Sequence, residues 1–451
     1  MANLLKSICL GLLVLQGLTS GAQSLNRLAG GTIHSLLIKN DGSLWAMGWN
    51  ASGQLGDGTY GGTLGYTNIP ELIVSNGATS VAAGYNFSLF LKDDGSLWAM
   101  GYNGDGEYGN GTTNGTKLPE ENITNGVLAI AAGQNHSLFI KTNGSLWGMG
   151  IDGQGQLGNG KYSAAVLVPE QIVGSNVMTI AAGWYFSLFI ESNGSLWAMG
   201  DDSYGQLGNG TYDPSGYAGY DRPQEIETNG VIAIAGGALH SLFIKNDGSL
   251  WAMGWNQYGQ LGDGTFNQTS RPEEIVSNGV AAIAAGNFHS VFLKNDGSLW
   301  AMGGNSLGQL GDGTENQTNR PEEIVPNGVV AIAAGEVHTL FLKSDGSLWG
   351  MGSDTYGMLG PTNDYNHRPL QIVAGPPGYN QISAQLPSSG NLQMSFVGDA
   401  GANYALDRSC NLAQPQWIPQ ATNPANSSGT VLFTNTPDMT TNNFWRIRFV
   451  P

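Results

Sequence analysis

The sequence is poor in cysteine and poor in charge. Two cysteines, Cys9 and Cys410, stand in 451 residues, and charged residues make up 11% of the chain. The charge it has leans one way: 17 Lys and Arg against 34 Asp and Glu, a formal net charge of -17. That balance argues against a nucleic acid partner, whose phosphates call for a basic surface, and against an anionic membrane face. Long apolar runs are also lacking. The run from Ile8 to Leu18 is too short to span a bilayer comfortably. With Lys6 before it and Ser20-Gly21-Ala22 after it, this stretch reads as a secretory signal over residues 1–22, cleaved after Ala22. A retained N-terminal anchor is the other reading. Cleavage leaves Cys410 alone, and a lone cysteine forms no internal disulfide. An exported protein without staples must be held by packing, and Cys410 is expected as a small buried hydrophobe.

Glycine and aromatic residues are plentiful. The 69 glycines follow no collagen-like period. They punctuate a repeat. The tryptophan of Gly-Ser-Leu-Trp recurs at Trp45, Trp98, Trp147, Trp197, Trp251, Trp300 and Trp349, at intervals of 49 to 54 residues. Such a period marks propellers and arrays. Each copy holds four strand-length pieces, typified by AIAAG, HSLFIK, SLWAMG and PEEIV. Asp-Gly or Asn-Gly separates the second from the third in every copy, from Asp41-Gly42 to Asp345-Gly346, the strongest short-range hairpin signal. Strand interiors are apolar on both faces, and small residues recur at Ala46, Ala99, Gly148, Ala198, Ala252, Ala301 and Gly350, where neighbouring sheets would approach. The expected fold is all-β: a seven-bladed β-propeller of four-stranded blades over residues 23–375, followed by a small C-terminal β-sandwich over 376–451. An open solenoid is the alternative, disfavoured because no polar capping repeat is evident.

The pattern GxxHSLxxxxDGxLWxxGxNxxGQLGDGT, spread over residues 28–373, resembles the repeat of the regulator of chromosome condensation family, which implies a seven-bladed propeller. The copies depart from it at Phe87 and Phe186 in place of His, at Glu107-Tyr108-Gly109, and at Gly360-Pro361-Thr362. The founding function of that family, nucleotide exchange on a nuclear GTPase with chromatin binding, does not suit an exported acidic chain. A secreted bacterial member is the closer analogy, with a secreted or bacterial cell-surface location. Fold transfers with a resemblance and partner does not. The tail, after Pro376-Pro377-Gly378, resembles the small β-sandwich that ends many exported bacterial proteins, through YALDRSCNL and the closing FWRIR. Strands are expected at 392–396, 403–407, 416–420, 430–435 and 444–449.

Chemistry is hard to find in the repeat. His34, His136, His240, His289 and His338 recur eleven residues before the repeat tryptophan. Since Phe87 and Phe186 fill the same place, we expect each histidine to bond its own blade's backbone rather than a metal. Asp57, Asp263 and Asp312 alternate with Asn110, Asn159 and Asn209; these read as turn residues, not as a calcium loop. No nucleophile elbow, phosphate loop or zinc signature is present. No cofactor, metal or catalytic residue is therefore assigned.

Repetition marks scaffold, so function is sought where the copies disagree. They disagree at the pair before each His or Phe, at the residue after Met-Gly, and in two long tyrosine-rich inserts over 60–70 and 211–223. Strand direction puts all of these on one face. The aromatic members Trp49, Tyr85, Tyr102, Trp184, Tyr185, Trp255 and Phe288 are the expected ligand-binding residues, since exposed aromatics dominate binding hot spots. The function read from this is an exported, monomeric, non-catalytic module that binds a protein. A glycan is the alternative ligand, and a glycan lyase or hydrolase at the channel mouth the alternative activity. That enzyme would draw on Asp152, Asp201, Asp202, Glu336 and Asp354, provided two of them face each other across a pocket.

Overall fold

Each Asp-Gly or Asn-Gly pair closes a hairpin, and two further strands complete a sheet around it. In this computed structural model the first blade comprises Leu28–Gly30, His34–Ile38, Leu44–Trp49 and Tyr66–Val74, paired antiparallel in chain order. Six more four-stranded sheets of the same order run from Ala78 to Ile123, Val127 to Val173, Val177 to Glu227, Val231 to Val276, Val280 to Val325 and Val329 to Val373. The fold is the all-β, seven-bladed propeller expected. The structure describes residues 27–375 apart from positions 40, 63, 213–218 and 362–364, and beyond them residues 382–385, 392–397, 403–409, 418–425, 430–435 and 444–450. The signal segment, the Pro-Pro-Gly linker, Cys410 and the centre of the second insert lie outside the described residues.

The blades pack large face on small face. Side chains alternate along a strand, so Trp98 and Met100 point one way and Leu97 and Ala99 the other. In the first interface Phe90, Met100 and Trp98 of the second blade lie on Leu36, Leu44 and Ala46 of the first. The same exchange repeats between each successive pair. It closes between the seventh and first, where Leu37 and Met47 meet Leu340, Leu348 and Leu359. Area removed from water at these seven seams, at roughly 25 cal/mol per Å² of apolar surface, is what holds the unstapled ring. The recurring Ala and Gly are the shallow side that admits the ridge of the next sheet.

The repeat tryptophans are half-buried rather than enclosed. Each indole N–H donates to the serine two residues before it, as Trp300 does to Ser298 at 2.9 Å. A phenylalanine stacks on the ring in six blades, as Phe292 does on Trp300 with centroids 6.0 Å apart. A lysine covers it in six, as Lys294 does at 4.0 Å. In the first blade Leu37 replaces the phenylalanine opposite Trp45. In the fourth, Glu191 replaces the lysine.

Residues 23–343 with 347–373 form one compact unit, and residues 374–451 belong to another. The second holds two three-stranded sheets: Ile382–Gln385, Leu392–Val397 and Thr430–Asn435 in one, and Ile418–Pro424, Asn403–Ser409 and Phe444–Val450 in the other. Met394, Tyr404, Leu406, Val431 and Phe433 make its core.

Candidate functional site

Backbone geometry brings the variable positions together. In every blade the residue after Met-Gly donates its N–H to the carbonyl of the residue before the second strand. Examples are Trp49 to Ile33, Tyr102 to Asn86, Asp201 to Tyr185 and Trp255 to Leu239, each at 2.8 Å. The glycine before it makes this closure fit: Gly48 has φ +110, and a Cβ there would stand 2.6 Å from Ile33 O. Inner loops also join across blades. Tyr85 N–H donates to Gln134 O, Gln134 N–H to Trp184 O, Asn287 N–H to Glu336 O, and Glu336 N–H to Gly31 O. The variable pairs thus form a collar around the axis on one face.

The GQLGDGT loops frame that collar and clamp neighbouring blades. The backbone N–H of Gly58 donates to Lys117 O in the next outer strand, and Gly111, Gly160, Gly210, Gly264 and Gly313 repeat the bond. Beneath the loops lies a buried polar ring. Ser88 Oγ donates to Gln54 O at 2.8 Å and lies 2.9 Å from His34 Nε2. Since the hydroxyl proton is committed to the carbonyl, His34 donates through Nε2. His136, His240 and His289 reach Ser187, Ser290 and Thr339, and His338 closes the ring on Ser35. The histidines therefore bond the next blade's hydroxyl, not their own backbone as expected. The sequence shows the recurrence but not which sheet lies opposite. All five rings are fully buried and their Nδ1 atoms lack partners. Burial lowers their pKa to about 3 for His136, His240 and His338, and about 4 for His34 and His289. Among the described residues no group of three or more His, Cys, Asp or Glu could hold a metal ion.

Three of the five carboxylates considered for catalysis hold loop geometry. Asp152, Asp202 and Asp354 each accept the backbone N–H five residues on, from Leu157, Leu207 and Leu359, at 2.7 to 3.1 Å. Asn50, Asn103, Asn256 and Asn305 do the same in the other blades. Asn50, Asn256 and Asn305 also donate to Asp57, Asp263 and Asp312. Where the first residue is Asp152 or Asp202, the second is Asn159 or Asn209, so the Asn–Asp pair is exchanged within the blade. This accounts for Asn159 and Asn209, whereas the second blade has asparagine at both places, Asn103 and Asn110. Burial raises Asp152 to about 6 and Asp202 to about 7, despite the Leu157 and Leu207 N–H groups and the Asn159 and Asn209 amides. Asp201 accepts from Ser203, and from Gln206 Nε2 at 2.7 Å.

The seven expected aromatics fall into three places. Trp184, Trp255 and Phe288 converge. Phe288 lies 6.5 Å from Trp184, 5.3 Å from Trp255 and 5.1 Å from Tyr258, and Tyr204 lies 5.7 Å from Trp255, all between ring centroids. Three blades supply this half-buried cluster, and the small Ala238 between them lets Trp184 meet Phe288 two blades on. Tyr85, Tyr102 and Tyr185 form a second group near Asp105, with Tyr85 and Tyr102 each 40% exposed. Trp49 stands apart, edge-on to Tyr356 at 4.9 Å across the closing seam. Sequence comparison of the copies missed Tyr204, Tyr258, Tyr356 and Asp105. They share one position, two before the Gln of the loop, which varies as freely as the others. It also left the rim aromatics Tyr60, Tyr162, Tyr212 and Phe266 unassigned, all about half exposed.

Comparison with known proteins agrees with this architecture. The family described as RCC1-like domain matches residues 13–278, more than half of the chain, and the regulator of chromosome condensation (RCC1) repeat matches 280–309, 329–357 and 296–342. Protein RCC2 homolog of Xenopus laevis is 42% identical over 81 residues, 17% of this chain and 15% of that protein. The secretion-regulating guanine nucleotide exchange factor of Bos taurus is 33% identical over 85 residues, 19% of this chain and 18% of that protein. The chain thus aligns with less than a fifth of the length of these relatives. Among solved structures, human WBSCR16 has a TM-score of 0.64 at 22% identity, covering 73% of this chain and 94% of that one. Prp20p from Saccharomyces cerevisiae has a TM-score of 0.64 at 21% identity, covering 80% and 90%. The chain belongs to the RCC1-like domain family.

Proposed function

We propose that this protein is an exported, non-catalytic binding module that takes a protein partner on the collar face. The observation that carries the reading is the cluster of Trp184, Tyr204, Trp255, Tyr258 and Phe288, gathered from three blades onto the face where the copies differ most. Large, rigid aromatic surface anchors partners at low entropic cost. The non-catalytic part rests on the carboxylates, of which Asp152, Asp202 and Asp354 each give an oxygen to a loop N–H and Asp201 gives both of its oxygens to Ser203 and Gln206. Export rests on the N-terminal signal pattern. Two similar proteins support a protein partner: Prp20p, described with binding to Gsp1p and histones, and the guanine nucleotide exchange factor of cattle.

The test is affinity capture by the chain lacking residues 1–22, offered extracellular proteins and a polysaccharide panel. Trp184→Ala with Trp255→Ala should reduce capture of a protein at least tenfold, with folding checked by melting. Undiminished capture places the binding face elsewhere, and capture of a polysaccharide alone replaces protein by glycan.

A further inference from the structure

Charge on the collar face has one sign. Its variable positions are the pair before each second strand, the residue after Met-Gly, and the residue two before the loop Gln. None of them is Lys, Arg or His in any of the seven copies, whereas Asp105, Asp201 and Glu336 are acidic. The three acids differ in what they have left to offer. Asp201 is buried, with both oxygens engaged by Ser203 and Gln206. Glu336 is half-buried beside Thr32 and Asn287, and burial raises its pKa. Asp105 is half-buried and accepts from Asn135 Nδ2 through Oδ2 at 3.0 Å. Its Oδ1 accepts no hydrogen bond among the described residues.

Two tyrosines stand near that carboxylate, and a third stands beside one of them. Asp105 lies within electrostatic reach of Tyr102 on its own blade and of Tyr185 two blades on, and Tyr85 lies within reach of Tyr185. Trp184, Trp255 and Phe288 touch ring to ring, but no ring contact joins Tyr85, Tyr102 and Tyr185 among the described residues. Tyr85 and Tyr102 are each partly exposed, Tyr102 with its ring laid against Gly104, so both keep surface that a ligand can meet. Glu107, fully buried behind Asp105, is held by the Asp105 N–H at 3.0 Å and Asn135 Nδ2 at 3.2 Å. Asn135 thus ties Asp105 and Glu107 in place from the next blade. An open carboxylate oxygen among unstacked aromatic faces suits a guanidinium or ammonium, which gains an ion pair and a cation–π contact together.

We propose that Asp105 with Tyr85, Tyr102 and Tyr185 forms a subsite for an arginine or lysine side chain presented by the protein partner. This rests on the collar face being the protein-binding one, and it names the chemistry the partner must bring.

The probe is the peptide acetyl-Gly-Arg-Gly-Arg-Gly-amide, with its lysine and glutamate counterparts, titrated into the full chain by calorimetry. The arginine or lysine peptide should bind, the glutamate peptide should not, and affinity should fall as sodium chloride rises from 50 to 300 mM, as expected for charges near the surface. Asp105→Asn, Tyr102→Ala and Tyr85→Lys should each weaken binding about tenfold or more, and Leu72→Ala, an exposed change in the outer strand of the first blade, should leave it unchanged. Tyr85→Lys is an exposed change that offsets the charge of Asp105, so its melting temperature should match the parent. Failure of both cationic peptides to bind, or equal binding by the three variants, overturns the subsite. Partner capture separates the two readings. Loss in Trp184→Ala/Trp255→Ala with retention in Tyr85→Lys keeps the face and discards the subsite. Retention in both discards the face as well.

Discussion

The site that holds His289 in one blade holds Phe87 in another, and both side chains are fully buried. The copies alone say that a phenylalanine is acceptable there. They do not say why, because the histidine's partner is a hydroxyl about 50 residues away on another sheet. The structure supplies the reason: Ser137 and Ser241, which follow the two phenylalanines around the ring, still donate to Glu107 O and Gln206 O. Thr339 has the same outlet in Gln309 O at 2.8 Å. His289→Phe should therefore shift the melting temperature at pH 7.5 by no more than a few degrees. A drop above ten degrees would make the His–Thr bond itself indispensable. The exchanged Asn–Asp pairs give a second residue-scale prediction. Asp202 is buried with its carboxyl raised to about 7, so at pH 8 it is held ionised in a site that favours the neutral form. Asp202→Asn recreates the residue found at Asn50, Asn103, Asn256 and Asn305. It should raise the melting temperature at pH 8 and change it little at pH 5. An equal effect at both values would remove ionisation as the cause.

At the scale of the blade, the hairpin and four-strand plan were legible because each strand carries its own turn and alternation signals. Burial of individual side chains was less so. A tryptophan repeated at one place in every blade suggests core from the sequence alone, yet each is half-buried, and in five blades it sits between a stacked phenylalanine and a lysine stem. Trp300→Ala should accordingly cost about 2 kcal/mol, below the roughly 3–5 kcal/mol of a fully enclosed tryptophan. Chemical denaturation measures this directly, and a loss of 4 kcal/mol would restore the core reading. The first blade departs from its sisters in the same layer. Leu37 stands opposite Trp45 where six blades have phenylalanine, and a cavity of about 10 Å³ lies there, lined by Leu37, Trp45, Leu340 and Leu348. Gly350 of the seventh blade faces this seam with no Cβ, as Gly148 does where Phe189 packs in. Leu37→Phe should restore the stacked pair and stabilise the ring by about 1 kcal/mol. A fall in melting temperature would show that the seam has no room.

At the scale of the molecule, closure was not legible at all. Every blade is made of consecutive strands, so no strand from one chain end completes a sheet begun at the other. The seventh blade meets the first through side chains and loops alone: His338 on Ser35, Ser35 Oγ donating to Met358 O, and Glu336 N–H donating to Gly31 O. The ring of histidines thus also takes part in closure, and its charge state matters to five of the seven seams. An unfolded histidine titrates near 6.5 and these titrate at about 3 to 4. Between those values the unfolded chain binds more protons, so stability falls as pH falls. Glu107, Asp152 and Asp202 act in the opposite sense. Burial raises them to about 7, 6 and 7, against unfolded values near 4, so they favour the folded state as pH drops from 7. From pH 6.5 to about 4.5 the five histidines are opposed by these three carboxyls, and stability should decline at less than the unopposed rate. Below that the unfolded carboxyls protonate too, and the histidines act unopposed. Each unopposed proton amounts to roughly 1.4 kcal/mol per pH unit, so several together are a large part of the stability of a domain. The propeller should therefore melt at its highest temperature near pH 6.5 and collapse steeply below about pH 4.5. His136→Phe with His289→Phe should move that collapse to lower pH by removing two of the five protons. A collapse unmoved by the double variant would show that carboxylate pairs, not the histidine ring, set the acid limit.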